Sequence, residues 1–319
     1  MNQILLFSLL FLFVSCSSQN VVPETSEDYS FSDPINTTVD EITAPVTPVL
    51  PVSQPSSVNQ LQRSMPTLFV YQLQNARYEK LFDIKANLLI VDPDDASFSR
   101  NKLEQLTEKK IVLAYLSVGE AEDYRDYWRS YWKRDDPEWL HAENPEWKGN
   151  YKVKYWFPEW QRIIEQYIAE IMIQGYSGLY LDVIEAYEYW EYKHEPNARQ
   201  LMIDFVKKIK LFVQEINSST LVFVQNGEEL FSDDSYLKTI DGIGREDVWF
   251  DDDARVSEDE LEKVLSYLDL VRSANKTVLI IDYPSDKKKR CEVRAKAQEK
   301  RYLAYTPTRE LDKVVSVNC

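Results

Sequence analysis

The sequence predicts an α/β protein built as a (β/α)8 TIM barrel, and three observations carry that prediction. After Pro66 a short β-branched or aromatic run, a polar loop and a helix-like segment alternate. The alternation repeats eight times over roughly 250 residues, as a barrel of that size requires. The chain has only seven glycines and no Gly-rich first turn, which separates it from a doubly wound nucleotide-binding sheet.

The eight predicted strands are Leu68–Gln72, Asn87–Val91, Ile111–Leu116, Gly178–Leu181, Leu221–Val224, Gly242–Gly244, Thr277–Ile281 and Arg301–Tyr305. Between them lie amphipathic stretches. Trp160–Ile173 places Ile163, Ile164, Tyr167, Ile168 and Ile171 at helical spacing, and Ala198–Ile216 and Glu258–Ser273 read the same way.

Barrels of this type carry their chemistry at the C-terminal ends of the strands. The predicted ends supply Gln72 and Gln74, Asp92, Ser117 and Glu120, Asp182, Gln225 and Asn226, Glu246, Asp282 and Tyr283, then Tyr305 and Thr306. Any one polar residue at a loop is unremarkable; convergence on a single rim gives the set a reason to exist. Asp182 and Glu246 form the predicted catalytic pair, because two carboxylates bracketing a glycosidic oxygen are the usual machinery of sugar hydrolysis. The competing structural reading of these acids is an ion-pair network with Arg245 or Arg125.

Composition narrows the alternatives. A formal charge of −16 and a pI near 4.7 argue against nucleic acid as a partner. They fit either a solubilising surface or an acidic cleft for a cationic polymer. Two histidines, His141 and His194, are too few for a His-rich zinc site and disfavour a Ser-His-Asp triad, so acid/base chemistry falls to carboxylates. No cofactor and no metal are expected, and a monomer is.

Residues 1–16 read as a lipoprotein-type signal peptide. The apolar run Ile4–Val14 is too short to span a bilayer, and Ser15-Cys16 resembles a lipobox with Cys16 as the lipidated residue. Residues 17–66 hold seven of the 14 prolines and no glycine, so they read as a disordered tether. The folded part is 67–319. Together these predict an exported, membrane-anchored lipoprotein, on the periplasmic face or cell surface. Cys291 and Cys319 are the other cysteines, either a disulfide or two free thiols.

The longest insertion, Glu120–Phe157, contains Trp128, Trp132, Trp139, Trp147 and Trp156 among several tyrosines. Sugar rings stack on aromatic faces, so the insertion is a candidate groove wall, with Trp147 and Trp156 as stacking residues. Trp128 and Trp132, four apart, are expected on one helix face.

Five stretches then carry a family resemblance: Tyr115-Leu-Ser-Val-Gly-Glu-Ala-Glu-Asp-Tyr-Arg125, Asn144-Pro-Glu-Trp147, Tyr180-Leu-Asp-Val-Ile-Glu-Ala-Tyr187, Val224-Gln-Asn-Gly-Glu-Glu-Leu230 and Asp241-Gly-Ile-Gly-Arg-Glu-Asp247. In order and spacing they resemble the endo-α-1,4-polygalactosaminidase-like proteins, glycoside hydrolase family 114. The resemblance implies a barrel that hydrolyses α-1,4-linked galactosamine polymers with retention. It makes Asp182 the nucleophile and Glu246 the acid/base. Gln72, Asp92, Glu120, Glu185, Tyr187, Gln225, Asn226, Asp282, Tyr283, Trp147 and Trp156 are the candidate substrate contacts. Many members have a second Asp where this chain has Glu185. A partly deacetylated polymer is cationic, and a mouth with Asp92, Glu120, Glu122, Asp182, Glu246 and Asp282 would suit it. Two other readings stay open: a carbohydrate-binding lipoprotein without turnover, and a surface protein whose acidic run Asp251–Asp253 binds ions.

Overall fold

Eight apolar runs leave the chain no choice but to bury both faces of each strand, which a parallel sheet covered by helices achieves. The computed structural model describes residues 66–316 and Cys319. The predicted signal peptide, Cys16 and nearly all of the tether lie outside the described residues. The barrel strands are β1 (Phe69–Gln72), β2 (Leu88–Val91), β3 (Ile111–Ser117), β4 (Gly178–Asp182), β5 (Leu221–Gln225), β6 (Gly242–Glu246), β7 (Thr277–Ile281) and β8 (Leu303–Tyr305). They form one eight-stranded sheet in sequential order, with every paired neighbour parallel.

The crossover helices follow from their sequences. Pro158–Gln174 starts on a proline that needs no N–H partner and stops at Gly175, whose φ of 106° admits a left-handed cap. It buries Trp160, Ile164, Tyr167, Ile168 and Ile171. Ala198–Ile216 and Glu258–Ser273 bury one face each, and Ser257 caps the latter by accepting from the N–H of Glu260.

The barrel interior is aromatic. Tyr71 packs against Tyr115 and Tyr180, with ring centroids 6.5 and 5.5 Å apart. Room for this layer comes from β6: a Cβ at Gly244 would overlap the Tyr180 hydroxyl, and one at Gly242 would overlap the Phe223 ring.

No backbone ladder is present between β8 and β1 among the described residues, and the C-terminal segment closes that seam instead. Leu311 accepts the N–H groups of Leu73 and Gln74, each at 3.0 Å. Val315 donates to the Tyr305 hydroxyl, and Phe69 packs on Tyr305. A disulfide joins Cys291, on the helix Lys287–Lys300, to Cys319. Gln72 belongs to this seam: its amide donates to the carbonyls of Gln74 and Asp312.

The insertion between β3 and β4 differs from expectation. It forms a three-stranded antiparallel sheet from Glu120–Glu122, Asn150–Val153 and Leu140–Glu143. Trp128 and Trp132 sit on turns rather than a helix, although their rings do meet at 5.3 Å. Trp132 packs edge-on to Trp139, which packs on Trp160, and Trp156 packs edge-on to Trp190. Most of the tryptophans therefore join or pack on the barrel's core and pin the insertion to it, Trp139 fully buried and Trp128, Trp132 and Trp156 half-buried. Trp147, between two of the insertion strands, is the most exposed of the five at 63%.

Trp139 is fully buried at the centre of that cluster. Trp139→Ala should therefore cost about 3–5 kcal/mol, read from urea unfolding midpoints. A loss below about 1 kcal/mol would mean that the cluster is not a core.

Candidate active site

Asp182 closes β4 after three fully buried residues, Leu179, Tyr180 and Leu181. Its carboxylate is held from two sides. The Tyr115 hydroxyl donates to Oδ2 at 2.6 Å, and the Val183 N–H donates to Oδ1 at 2.7 Å. Val183 adopts a φ of 60°, a strained conformation for a β-branched residue, and such strain concentrates at functional sites. The turn packs on Gly119, where a Cβ would strike the Val183 carbonyl. Burial and then the charge of Glu246 push Asp182 up to about 7, against the pull of the Tyr115 and Val183 hydrogen bonds.

Glu246 closes β6 and is held by the strands on either side. Oε2 accepts from Gln225 Nε2 at 2.7 Å and Asn226 Nδ2 at 3.3 Å, both from the end of β5. Oε1 accepts from the Tyr283 hydroxyl, which follows β7. Burial and then the Glu246 charge raise Tyr283 well above an ordinary phenol, so it stays a donor. Asn226 Oδ1 in turn receives the backbone N–H of Glu246 at 3.2 Å.

The two acids share a face. Side chains alternate along a strand, so Tyr180 and Asp182 point the same way on β4, as do Gly244 and Glu246 on β6. The Tyr180 hydroxyl lies against Gly244 inside the ring. Asp182 and Glu246 therefore stand one step further along, on the inward face at the C-terminal rim. Neither carboxylate bonds an arginine side chain among the described residues. Arg245 pairs with Glu228 at 3.0 Å, and Arg125 pairs with Asp92, Asp94 and Glu122, so the ion-pair reading does not account for this pair.

Glu185 joins them, at the turn after β4. Its Oε2 is buried without a hydrogen-bond partner. Burial, then the charge of Asp182, raises it to about 8.

Several other predicted contacts are committed elsewhere, and the acidic mouth is smaller than the sequence suggests. Asp92 caps the short helix Pro93–Ala96 and takes both Arg125 amino groups, at 2.8 and 2.7 Å. Glu122 is tied to the same guanidinium at 2.7 Å. Glu120 binds Asn144 and Lys152. Asp282 is fully buried, and its oxygens accept the N–H groups of Val248, Trp249 and Phe250 at 2.8–3.0 Å. It shapes the loop after β6 rather than facing a ligand. Gln72 serves the barrel seam and the half-buried Trp156 packs on Trp190, whereas Tyr187, its ring buried beneath the Arg199 guanidinium at 4.6 Å, stays on the wall of a cavity beside Asn226. The run Asp251–Asp253 is paired with Arg309, which also takes Asp247, and with Lys289.

Tyr115 is the site residue that the strand-end reading missed. It lies two positions before Ser117 on β3, on the face that points inward, and only the period of two would have flagged it.

A (β/α)8 barrel with two hydrogen-bonded carboxylates on the inward face of its C-terminal rim is the architecture of a glycosidase. The chain belongs to glycoside-hydrolase family GH114, whose model matches residues 52–319. It is a glycoside hydrolase, and the family implies a polysaccharide substrate. The uncharacterized protein MJ1477 of Methanocaldococcus jannaschii is 36% identical over 244 residues, covering 72% of this chain and 70% of that one. Among solved structures, the glycoside hydrolase domain of PelA from Pseudomonas aeruginosa superposes with a TM-score of 0.64 at 17% identity, over 79% of this chain and 98% of that one. Aspergillus fumigatus Ega3, in complex with galactosamine, gives 0.61 at 15% identity, over 79% and 95%. At those identities the two structures speak for the fold.

The raised carboxyls make stability depend on pH. Glu185 ionises near 4.5 in an unfolded chain and near 8 in the folded one, so between those values ionisation favours unfolding. Glu185→Gln removes this penalty. The variant should melt above wild type at pH 8 and above, with the gap shrinking as pH falls and closing below about 4.5. Thermal melts across that range test it; a gap that widens on acidification would refute the assignment.

Proposed function

We propose that the protein is an endo-acting hydrolase of an α-1,4-linked galactosamine-type polysaccharide, using Asp182 and Glu246 in a retaining mechanism. One observation carries the reading: both acids occupy the inward rim of a GH114 barrel, each with its own set of donors. Asp182 attacks the anomeric carbon, and Glu246 protonates the departing glycosidic oxygen. Glu246 then takes a proton from water as that water displaces Asp182 from the glycosyl-enzyme. The Tyr115 and Val183 donors fix the direction of attack. Gln225, Asn226 and Tyr283 fix Glu246 over the leaving oxygen. A positively charged sugar entering the site favours the ionised form of Asp182, which burial alone disfavours. The galactosamine bound to Ega3 supports the choice of an amino sugar.

Asp182→Asn and Glu246→Gln should each lower oligosaccharide release from an α-1,4-galactosamine polymer by at least about a thousandfold. Azide sorts the roles. With Asp182→Ala it should yield a glycosyl azide of inverted configuration, and with Glu246→Ala one of retained configuration. The reverse pattern would exchange the two assignments, and full activity in either variant would remove the mechanism.

The N-terminal sequence supports an exported lipoprotein, held by lipid on Cys16 and carried outward by residues 17–66. Cells fed labelled palmitate should transfer label to the wild-type chain and not to Cys16→Ser; equal labelling of both would discard the anchor.

A further inference from the structure

The acids of the barrel mouth nearly all have partners. Asp92 and Glu122 are satisfied by Arg125, Glu120 by Lys152 and Asn144, Asp282 by three backbone N–H groups, and Glu246 by three side-chain donors. Glu185 departs from that rule, since its Oε2 is buried with nothing donating to it. An unpaired buried carboxylate oxygen is expensive, and folded proteins rarely keep one without a use.

Glu185 lines a cavity of about 300 Å³ together with Tyr187, Glu188, Asn226, Arg245 and Lys263. Asn226 also bonds Glu246, so the cavity shares a wall with the catalytic pair. Its two cations are already spent, Arg245 on Glu228 and Lys263 on Glu229. Tyr187, fully buried on the same wall, has a hydroxyl without a hydrogen-bond partner. The chemistry left over is acidic, the Glu185 oxygen with the Glu188 and Glu260 carboxylates and the Tyr187 phenol, and neither lining cation is free to satisfy it.

We propose that Glu185 is the specificity residue for the amino group of the substrate, its free carboxylate oxygen receiving the ammonium of a galactosamine unit in the cavity beside Asn226, with the Tyr187 hydroxyl as second contact. The inference rests on the hydrolase reading above and deepens it. A primary ammonium is a compact charge with three donors, and it satisfies both groups at once. An N-acetyl group brings no charge, adds bulk, and leaves the buried carboxylate unpaired. Sites built to bond a group reject analogues that lack it far more strongly than apolar pockets reject a misfit. Glu185 thus selects deacetylated units, whereas Asp182 and Glu246 act on the bond itself.

The test compares full-length wild type, Glu185→Gln, Glu185→Asp and Tyr187→Phe on two substrates: α-1,4-galactosamine oligomers and the same oligomers fully N-acetylated. Wild type should favour the deacetylated oligomer. Glu185→Gln should lower the ratio of the two kcat/KM values by roughly tenfold to a hundredfold, mainly through KM on the deacetylated substrate. Glu185→Asp should recover part of the preference, and Tyr187→Phe should lose less of it than Glu185→Gln. Calorimetry with free galactosamine and N-acetylgalactosamine reads the same preference without turnover. Turnover by wild type with a ratio that Glu185→Gln leaves alone would overturn the inference and leave the hydrolase standing. Galactosamine binding weakened by Glu185→Gln, without cleavage of either oligomer, would uphold the inference while removing the proposed reaction. Wild type that neither cleaves nor binds would overturn both.

Discussion

The desolvation of carboxylates at the ends of apolar strands is the constraint on which this structure turns. A carboxylate that leaves water must recover its lost hydrogen bonds from the protein or take up a proton. The barrel rim meets this demand in three different ways. Arg125 gathers Asp92, Asp94 and Glu122 around one guanidinium. Backbone N–H groups of the loop after β6 converge on Asp282. Side chains from β3, β5 and the end of β7 reach across to Asp182 and Glu246. The first two solutions enclose the charge and spend it on architecture. The third leaves the acids on the inward face, which is where a sugar can meet them.

That third solution depends on strand register more than on loops. Tyr180 and Asp182 face inward because they are two apart on β4, and Gly244 and Glu246 do so on β6. The glycine at 244 lets the Tyr180 hydroxyl sit where a side chain would be, and the tyrosine layer fills the interior below the acids. A slip of one residue on either strand would send its acid into the helical layer. The seam between β8 and β1 is closed by the chain after Tyr305, through Leu311, Asp312 and Val315. Its last described residue is fastened to a helix by the Cys291–Cys319 disulfide.

Much of this was legible in the sequence, and the reasons differ by element. The eight strands stood out because parallel barrel strands are buried on both faces and read as continuous apolar runs. Their observed ends fall within two residues of the expected ones. Ala198–Ile216 and Glu258–Ser273 were equally plain, since each carries one apolar face. The rim was legible only as a set of candidates. Asp282 and Glu246 look alike in sequence, each an acid at the end of a strand. What separates them is the path of residues Val248 to Phe250, which turns three N–H groups onto Asp282. No local pattern contains that path. The tryptophans of the insertion misled for a related reason. Its strands are three or four residues long, too short for alternation to say which face is covered. Trp156 thus reads as a groove residue, while its ring is half-buried against Trp190.

Comparison among the acids is also the reason to treat Glu185 as more than a loop residue. Had the rim been assembled without regard to partners, unpaired carboxylates would be scattered through it. Instead, the buried structural acids have been matched with arginines, backbone groups or amides, and the fold has supplied these over distances of up to 34 residues in the chain. Glu185 is left over beside Asp182 and Glu246, where burial and the charge of Asp182 oppose its ionisation. Proteins retain such local conflicts where function offsets them, and a glutamine would occupy the same space without the electrostatic penalty. On the inference above, a positive group of the substrate supplies the complement that the chain itself does not. A hydrolase whose substrate carries an amine on each sugar brings that charge with every unit it binds.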